Sequence, residues 1–281
     1  MVNFMFSTGL GFATRLLQSG AGAPVLLLHG NPDSAGEWGP VMEALGDRRR
    51  CLAPDLPGFG ECEEPPGSFD FSLEAHGRFI DAVVSGVQEK LTVVVHDIGG
   101  AVGLPWAAAN LSRVAGVVVT NTVAFEGFRW FPIARLWGSR TRRGLLRARA
   151  GMFAIGLRDG ALFRRIFSRQ CPELAGHDLD RMAREFACNG AAKRSTLRLF
   201  RQLTRPGFFD GYAAMLTRLS AAVPVHVVWG EPDPFIGPHW AERFGARRVE
   251  RAPGGGHFVP LSSAKQVARA IDRIGEAPAG A

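Results

Sequence analysis

Two aspartates and a histidine occur along the chain in an order that suits nucleophilic catalysis. Asp97 follows the apolar run Thr92–Val95, Asp233 follows a later apolar run, and His257 follows three consecutive glycines. A carboxylate displaces a leaving group at a saturated carbon, and a histidine oriented by a second carboxylate then activates water against the ester. The order predicts Asp97 as the nucleophile, Asp233 as the orienting acid and His257 as the base.

The residues after Asp97 favour a sharp turn from a strand into a helix. Gly99 and Gly100 lie directly downstream, where small residues avoid Cβ clashes with the neighbouring backbone. The nucleophile elbow of the G-x-S-x-G type uses the same device to hold its nucleophile in a strained, exposed position. Here an aspartate takes the place of the serine.

Four short apolar runs with turn residues at their ends predict strands buried on both faces. They are Val25–Leu28, Thr92–Val95, Val117–Thr120 and Val225–Val228. The segments between several of them have helical periodicity, and Ala264 to Ile274 predicts a closing helix. Strands that alternate with helices indicate a doubly wound, mostly parallel α/β sheet, whose active groups lie in loops at the carboxyl ends of the strands.

The alternation of strands and helices breaks after Asn121. Residues 127–205 predict an inserted helical lid, and residues 1–126 and 206–281 predict the core domain. The net charge of +7 is uneven, because residues 126–205 hold 18 Lys and Arg against 6 Asp and Glu. Solvated helix faces are the favoured explanation, while an anionic partner or substrate is the alternative, with Arg129, Arg135, Arg198 and Arg201 as cavity-facing candidates.

Several motifs resemble the α/β-hydrolase superfamily, in its branch with an aspartate nucleophile. They are His29-Gly30-Asn31-Pro32, Asp55-Leu56-Pro57-Gly58-Phe59-Gly60, and the order nucleophile, acid, histidine. Epoxide hydrolases and haloalkane dehalogenases belong to that branch. The resemblance implies an α/β-hydrolase fold with a lid, and an oxyanion hole formed by the backbone N–H groups of Asn31 and Ile98.

The resemblance to haloalkane dehalogenases is partial. Asn31 and Trp38 match that group, in which the Asn side chain helps to bind halide. Those enzymes usually have a tryptophan directly after the nucleophile as the second halide donor. This chain has Ile98, whose side chain donates nothing, so dehalogenation is the second choice.

The resemblance to epoxide hydrolases also has a gap. Those enzymes usually protonate the epoxide with two lid tyrosines, but this chain has one tyrosine, Tyr212, and Phe200 stands where a lid tyrosine is usual. Tyr212, His177, Trp130 and Trp137 are the alternative donors. An epoxide hydrolase acting on a small hydrophobic or natural-product epoxide is the first prediction, with Trp38, Trp130, Tyr212, Phe200 and His177 as the predicted substrate-binding residues.

Other functions remain open at this stage. A hydrolase fold also serves as a binding module, a non-hydrolytic cyclase, or an esterase or lactonase in which Asp97 has another role. Glu126 is an alternative acid, and Asn121 at the end of its strand is compatible with either hydrolase.

The composition points to a small-molecule enzyme without a cofactor. No spacing of Cys and His predicts a metal site, and Cys51, Cys62, Cys171 and Cys188 are expected to be free thiols. No organic cofactor, nucleic acid or membrane partner is predicted, so the expected partners are a small-molecule substrate and water. The start of the chain lacks a secretory pattern, and a cytoplasmic protein is expected. The oligomeric state is left open.

Overall fold

An eight-stranded sheet runs through the protein, in a computed structural model that describes residues 1–274. The strand order is β1-β2-β4-β3-β5-β6-β7-β8, with β1 and β2 antiparallel to their neighbours and the other pairs parallel. The strands are β1 Val2–Ser7, β2 Ala13–Ser19, β3 Ala23–Leu28, β4 Arg49–Pro54, β5 Leu91–Asp97, β6 Val114–Thr122, β7 Val225–Glu231 and β8 Arg248–Pro253. The predicted α/β sheet is confirmed.

The four predicted strand runs correspond to β3, β5, β6 and β7, which occupy the middle of the sheet. The other four strands gave no clear signal in the sequence. Strands β4 and β8 begin at Arg49 and Arg248 and lack a continuous apolar run. Strand β1 is an edge strand with mostly exposed side chains, so its apolar residues have no burial pattern to reveal them.

Helices pack on both faces of the sheet and form the segment between β6 and β7. The α-helices are α1 Gly39–Leu45, α2 Leu73–Val83, α3 Ile98–Ala109, α4 Pro132–Trp137, α5 Arg142–Ile155, α6 Ala161–Gln170, α7 Gly176–Met182, α8 Gly190–Leu203, α9 Tyr212–Ala222, α10 Val259–Ser262 and α11 Ala264–Asp272. Short 3₁₀ helices occur at Ala35–Trp38, Gly46–Arg48, Leu111–Arg113 and Pro238–Phe244, and Ala183–Ala187 forms a π-helical turn. Within residues 1–274, no helix has the length and apolarity needed to span a membrane.

Alternate residues of the central strands face two separate apolar cores. Leu26 and Leu28 of β3 belong to the core that also contains residues of α2, α3 and α9, whereas Val25 and Leu27 belong to the core under α1 and α11. Burial on both faces explains why these strands are continuously apolar rather than alternating.

The predicted lid region contains helices α4 to α8, which have an apolar core of their own around Phe163 and Phe186. Ion pairs connect this region to the sheet. Arg181 pairs with Asp33, and Glu185 accepts a bond of 3.1 Å from Arg15. Through these partly buried pairs, the region packs against β2 and against the loop that follows β3.

Helix α3 approaches β3 so closely that glycine is required at the contact. A Cβ atom on Gly99 would lie 2.3 Å from the carbonyl oxygen of Leu28, and one on Gly103 would lie 2.5 Å from the Leu28 side chain. Only the second contact can relax by a side-chain movement. The start of α3 is therefore fixed against the backbone of β3.

We expect Gly99→Ala to lower the free energy of unfolding by about 2 kcal/mol or more, because the added methyl group meets backbone. Gly77→Ala is the matched control, since a Cβ at Gly77 meets nothing closer than 4.0 Å. Alanine there should stabilise α2 by about 0.5–1 kcal/mol. Urea unfolding of both variants measures the difference, and equal effects would contradict the close contact.

Candidate active site

Asp97 lies at the turn between β5 and α3 in a strained backbone conformation. Its φ is +45° and its ψ −121°, a region that side chains with a Cβ rarely adopt. A Cβ on Gly30 would lie only 2.6 Å from the Asp97 Cβ, so glycine is also needed in the facing loop. The hydroxyl of Thr122 donates a hydrogen bond to the Asp97 carbonyl oxygen. The turn directs the Asp97 carboxylate into a cavity.

One carboxylate oxygen of Asp97 is bound by a predicted oxyanion-hole residue. The backbone N–H of Asn31 donates to Asp97 Oδ2 over 2.9 Å. Ile98 is the first residue of α3, where backbone N–H groups have no acceptor within the helix. Asn31 thus contacts the Asp97 carboxylate directly, and Ile98 follows Asp97 with a backbone N–H that has no acceptor within α3.

His257 and Asp233 form a buried hydrogen-bonded pair. His257 Nδ1 donates to Asp233 Oδ2 over 2.8 Å, and His257 lines the same cavity as Asp97. Burial by itself raises the pKa of Asp233, but the His257 charge and the hydrogen bonds from His257, Asn121 and the Phe235 backbone outweigh it. The pKa of Asp233 is therefore lower than usual. An ionised Asp233 fixes the proton on Nδ1 and leaves Nε2 as the basic nitrogen of His257.

Asn121 positions the loop that carries Asp233. Its amide nitrogen donates hydrogen bonds to Asp233 Oδ2, at 2.7 Å, and to the carbonyl oxygen of Gly230, at 3.1 Å. Its amide oxygen accepts a hydrogen bond from the Gly230 N–H at 2.7 Å. From the sequence alone, Asn121 could only be placed at the end of a predicted strand. The structure adds that this strand, β6, is next to β7, which leads to the acid.

A second buried pair lies behind His257. His96 Nε2 donates to the carbonyl oxygen of His257 over 3.0 Å, and its Nδ1 is 3.1 Å from both carboxylate oxygens of Glu37. Burial lowers the pKa of His96, but the Glu37 charge and hydrogen bond raise it more strongly, to about 9. Sequence analysis missed Glu37 as a site residue, because a glutamate near a glycine-rich loop carries no signal of its distant partner.

The lid also contributes to the position of His257. Glu173, between α6 and α7, accepts hydrogen bonds from the backbone N–H groups of His257 at 2.9 Å and of Phe258 at 3.3 Å. A Cβ on Gly256 would lie 2.2 Å from the Glu173 carboxyl carbon and would displace this carboxylate, and the φ of +61° also favours glycine there. Glu173 was also missed by sequence analysis, since its role depends on how the lid folds back.

The cavity above Asp97 has a volume of about 360 Å³ and is almost entirely apolar. Among the described residues that line it, Asp97 and His257 are the titratable groups, and Asn31 and Gln170 supply amides. The apolar wall consists of Pro32, Val123, Phe128, Trp130, Phe131, Ile133, Ala134, Trp137, Gly151, Met152, Ile155, Phe163, Ile166, Phe167, Phe186, Phe200, Phe235 and Ile236. Such a lining suits a neutral hydrophobic ligand.

Of the five predicted substrate-binding residues, Trp130 and Phe200 lie in the cavity wall, with ring centroids 5.6 Å apart. The other three lie outside the cavity wall. Trp38 is fully buried in the core with Leu27 and does not line the cavity.

Tyr212 and His177 are also placed outside the cavity. The Tyr212 hydroxyl donates 2.8 Å to the carbonyl oxygen of Ala101, and burial raises its pKa. The side chain of His177 is 84% exposed at the start of α7, beside Asp178. Helical periodicity did not reveal either orientation, because both residues lie in the first turn of a helix, where little of the repeat precedes them.

The arginines considered as cavity-facing do not line the cavity either. Arg198 donates to the backbone carbonyls of Pro65 and Pro66 at 2.9 and 3.0 Å, and Arg129 and Arg135 are exposed. The alternative acid Glu126 is exposed and accepts a bond from the Gly211 N–H. No anionic substrate is therefore suggested by the cavity wall.

Neither a metal cluster nor a disulfide is formed by the described part of the chain. Within residues 1–274, no three His, Cys, Asp or Glu side chains are arranged to hold a metal ion. Cys51, Cys62 and Cys171 are buried free thiols, and Cys188 is an exposed one.

The His96–Glu37 pair predicts a loss of stability with rising pH. Because the folded pKa of His96, about 9, exceeds its ordinary value of 6.5, the stabilisation is complete below pH 6.5 and is lost as the pH rises through about 9. The loss should be on the order of 3 kcal/mol. In Glu37→Gln the protein should be less stable at pH 6.5, with little further change up to pH 9.

Urea unfolding of the native protein and Glu37→Gln at intervals between pH 6.5 and 9 measures this difference. For each protein the free energy of unfolding is plotted against pH. Comparing the slopes of the two plots removes the contribution of the buried thiols, which both proteins share. Parallel slopes would show that His96 is neutral in the folded protein.

Comparisons with known proteins agree with this architecture. The model of the "Alpha/beta hydrolase family" matches residues 25–270. Haloalkane dehalogenase 2 of Mycobacterium tuberculosis is 28% identical over 276 residues, covering 92% of this chain and 90% of that protein. The cis-3-alkyl-4-alkyloxetan-2-one decarboxylase of Shewanella oneidensis is 29% identical over 269 residues, covering 89% of this chain and 81% of that protein.

Solved structures show the same fold. The epoxide hydrolase CorEH superposes with a TM-score of 0.77 at 21% identity, covering 97% of this chain and 98% of that one. The haloalkane dehalogenase DbeA of Bradyrhizobium elkani gives a TM-score of 0.77 at 22% identity, covering 99% of both chains. With this fold and a family match that covers most of the chain, from β3 to α11, the chain belongs to the α/β-hydrolase family and is an enzyme of that class.

Proposed function

We propose that the protein hydrolyses a neutral hydrophobic substrate through an ester formed on Asp97. The observation that carries the proposal is the Asp97 carboxylate in a strained turn at an apolar cavity, which also contains His257 paired with Asp233. An aspartate in this position attacks carbon directly and needs no base to activate it.

In the first step, Asp97 Oδ1 attacks a saturated carbon of the substrate. A carbon–oxygen bond forms, the bond to the leaving group breaks, and the leaving group departs with the electron pair. Oδ2, which accepts the Asn31 N–H, becomes the carbonyl oxygen of the ester. The hydrogen bond keeps that oxygen in place and directs the other towards the cavity.

In the second step, His257 Nε2 takes a proton from water, and the resulting hydroxide attacks Cγ of Asp97. The negative charge develops on Oδ2, where the N–H groups of Asn31 and Ile98 stabilise it. The tetrahedral intermediate collapses, the bond between Cγ and the ester oxygen breaks, and the alcohol leaves with the proton from His257. Asp233 stabilises the histidine cation between these events.

The cavity favours a leaving group that departs as a stable anion. Asp97 and His257 are the titratable residues on the described wall, and neither is a phenol that protonates an alkoxide. Trp130, Trp137, Asn31 and Gln170 carry N–H groups that donate hydrogen bonds without giving up a proton. A halide needs only such donors. With Tyr212 bound to Ala101, the halide therefore replaces the epoxide as the first candidate.

A strained lactone is the second candidate. Attack of Asp97 on the saturated carbon of an oxetan-2-one breaks the ring carbon–oxygen bond and releases a carboxylate, which also departs without a proton. The relative from Shewanella oneidensis is named for such a substrate, and Ile98 lacks the indole that halide-binding relatives carry. An epoxide remains the third class, since its alkoxide has to take a proton from water or from His257.

We expect His257→Gln to accumulate the Asp97 ester, because the first step needs no base and the second step does. The variant is incubated with 1-haloalkanes, a dialkyl oxetan-2-one and a terminal epoxide of similar chain length, and the peptide with Asp97 is analysed by mass spectrometry. The mass added identifies which class reacts. Free halide, measured in parallel, should appear once per enzyme molecule.

His257→Gln with Asp97→Asn is the matched control and should form no adduct. If the native protein turns over a member of the panel while His257→Gln accumulates no ester, the covalent mechanism is wrong. In that case a direct attack of water, or a cyclase or lactonase in which Asp97 has another role, becomes the better explanation.

A further inference from the structure

The outer part of the lid is strongly cationic. Residues 127–170 hold eleven arginines and one acidic residue, Asp159. Of these arginines, Arg164 pairs with a carboxylate, that of Asp180 at 2.7 Å, and within residues 1–274 the other ten form no ion pair. A group of solvated arginines is ordinary on a surface, but ten unpaired ones in a single segment create a field that attracts anions.

The same segment exposes large apolar side chains. Leu146 is 70% exposed and Phe153 is 69% exposed, and their spacing of seven residues puts them on one face of α5. Further exposed apolar residues of the lid are Phe131, Ile133, Leu157, Leu162 and Ile166. On α5, Arg142 and Arg149 lie four residues before Leu146 and Phe153 and therefore on the same side of the helix. At a lipid interface, such arginines reach the headgroups while leucine, isoleucine and phenylalanine enter the acyl boundary.

The mouth of the cavity is part of this apolar surface. Phe131, Ile133 and Ile166 are each partly exposed to solvent, at 40%, 40% and 37%, and each also lines the cavity over Asp97. A continuous apolar path therefore leads from the outer surface of the lid to the interior. Whatever covers these side chains is in contact with the entrance of the cavity.

We propose that the outer face of the lid, formed by α4, α5 and α6, binds to the surface of an anionic lipid bilayer with the cavity mouth towards the lipid. The arginines attract the headgroups, and the apolar side chains enter the boundary with the acyl chains. A second copy of the chain is a poor occupant, because two faces of this charge repel each other. Nucleic acid would leave the exposed Leu146 and Phe153 in contact with phosphates.

Cosedimentation with vesicles tests the proposal and does not depend on any catalytic activity. Vesicles of phosphatidylglycerol and phosphatidylcholine in equal parts should bind the native protein at 0.1 M salt, and vesicles of phosphatidylcholine alone should bind it at least tenfold less. The triple variant Arg142→Glu, Arg143→Glu, Arg147→Glu should bind the anionic vesicles on the order of 100-fold less. All three residues are exposed, and Arg142 and Arg143 lie in the first turn of α5, where glutamate is favourable.

The matched control reverses three exposed charges on the core, with Arg218→Glu, Lys265→Glu and Arg269→Glu, and should bind anionic vesicles within about threefold of the native protein. The apolar variant Leu146→Gln, Phe153→Gln keeps every charge and should bind at least tenfold less.

Three outcomes would overturn the proposal. The native protein fails to sediment with anionic vesicles, or the lid and control charge variants bind equally, or the apolar variant binds like the native protein. The last outcome would indicate that the cationic surface binds a soluble polyanion, such as an acidic protein, rather than lipid.

Discussion

At Asp97 the backbone has a φ of +45°, which costs a residue with a Cβ atom on the order of 1–3 kcal/mol. The surrounding structure accommodates this conformation through close contacts at glycines, where a Cβ atom would not fit. Gly30 faces Asp97, Gly99 touches the backbone of β3, and Gly100 touches Thr122. Because these contacts fix both the turn and the Asn31 N–H, the carboxylate is held in one orientation before any substrate binds.

His257, the proposed base, is positioned from several directions by residues that have no part in the proposed chemical steps. Asp233 binds its ring, and His96, which is itself held by Glu37, donates to its backbone carbonyl. Glu173, between α6 and α7, accepts from its backbone N–H. Asn121 in turn fixes the loop of Asp233. The predicted lid region has two roles in this account. It closes an apolar cavity over Asp97, and through Glu173 it helps to hold His257 in place. Its outer face is cationic.

The sequence predicted the central strands, the lid insertion and the three catalytic candidates because each depends on local pattern. Four apolar runs marked the strands buried on both faces, and Asp97, Asp233 and His257 follow strand ends or glycines. Whether Asp97 is the nucleophile remains a prediction. The sequence did not reveal side-chain direction, which local pattern does not determine. Tyr212 and His177 both lie in the first turn of a helix, and one is buried in the core while the other is exposed.

Single turnover in ¹⁸O water, with enzyme in excess over substrate, tests the central claim most directly. Water attacks Cγ of the Asp97 ester in this account, so mass spectrometry of the Asp97 peptide should find label in its carboxylate. The alcohol product of that first turnover should be unlabelled, because its new oxygen comes from the enzyme. Label in the product with none in Asp97 would show that water attacks the substrate directly and would contradict the covalent ester.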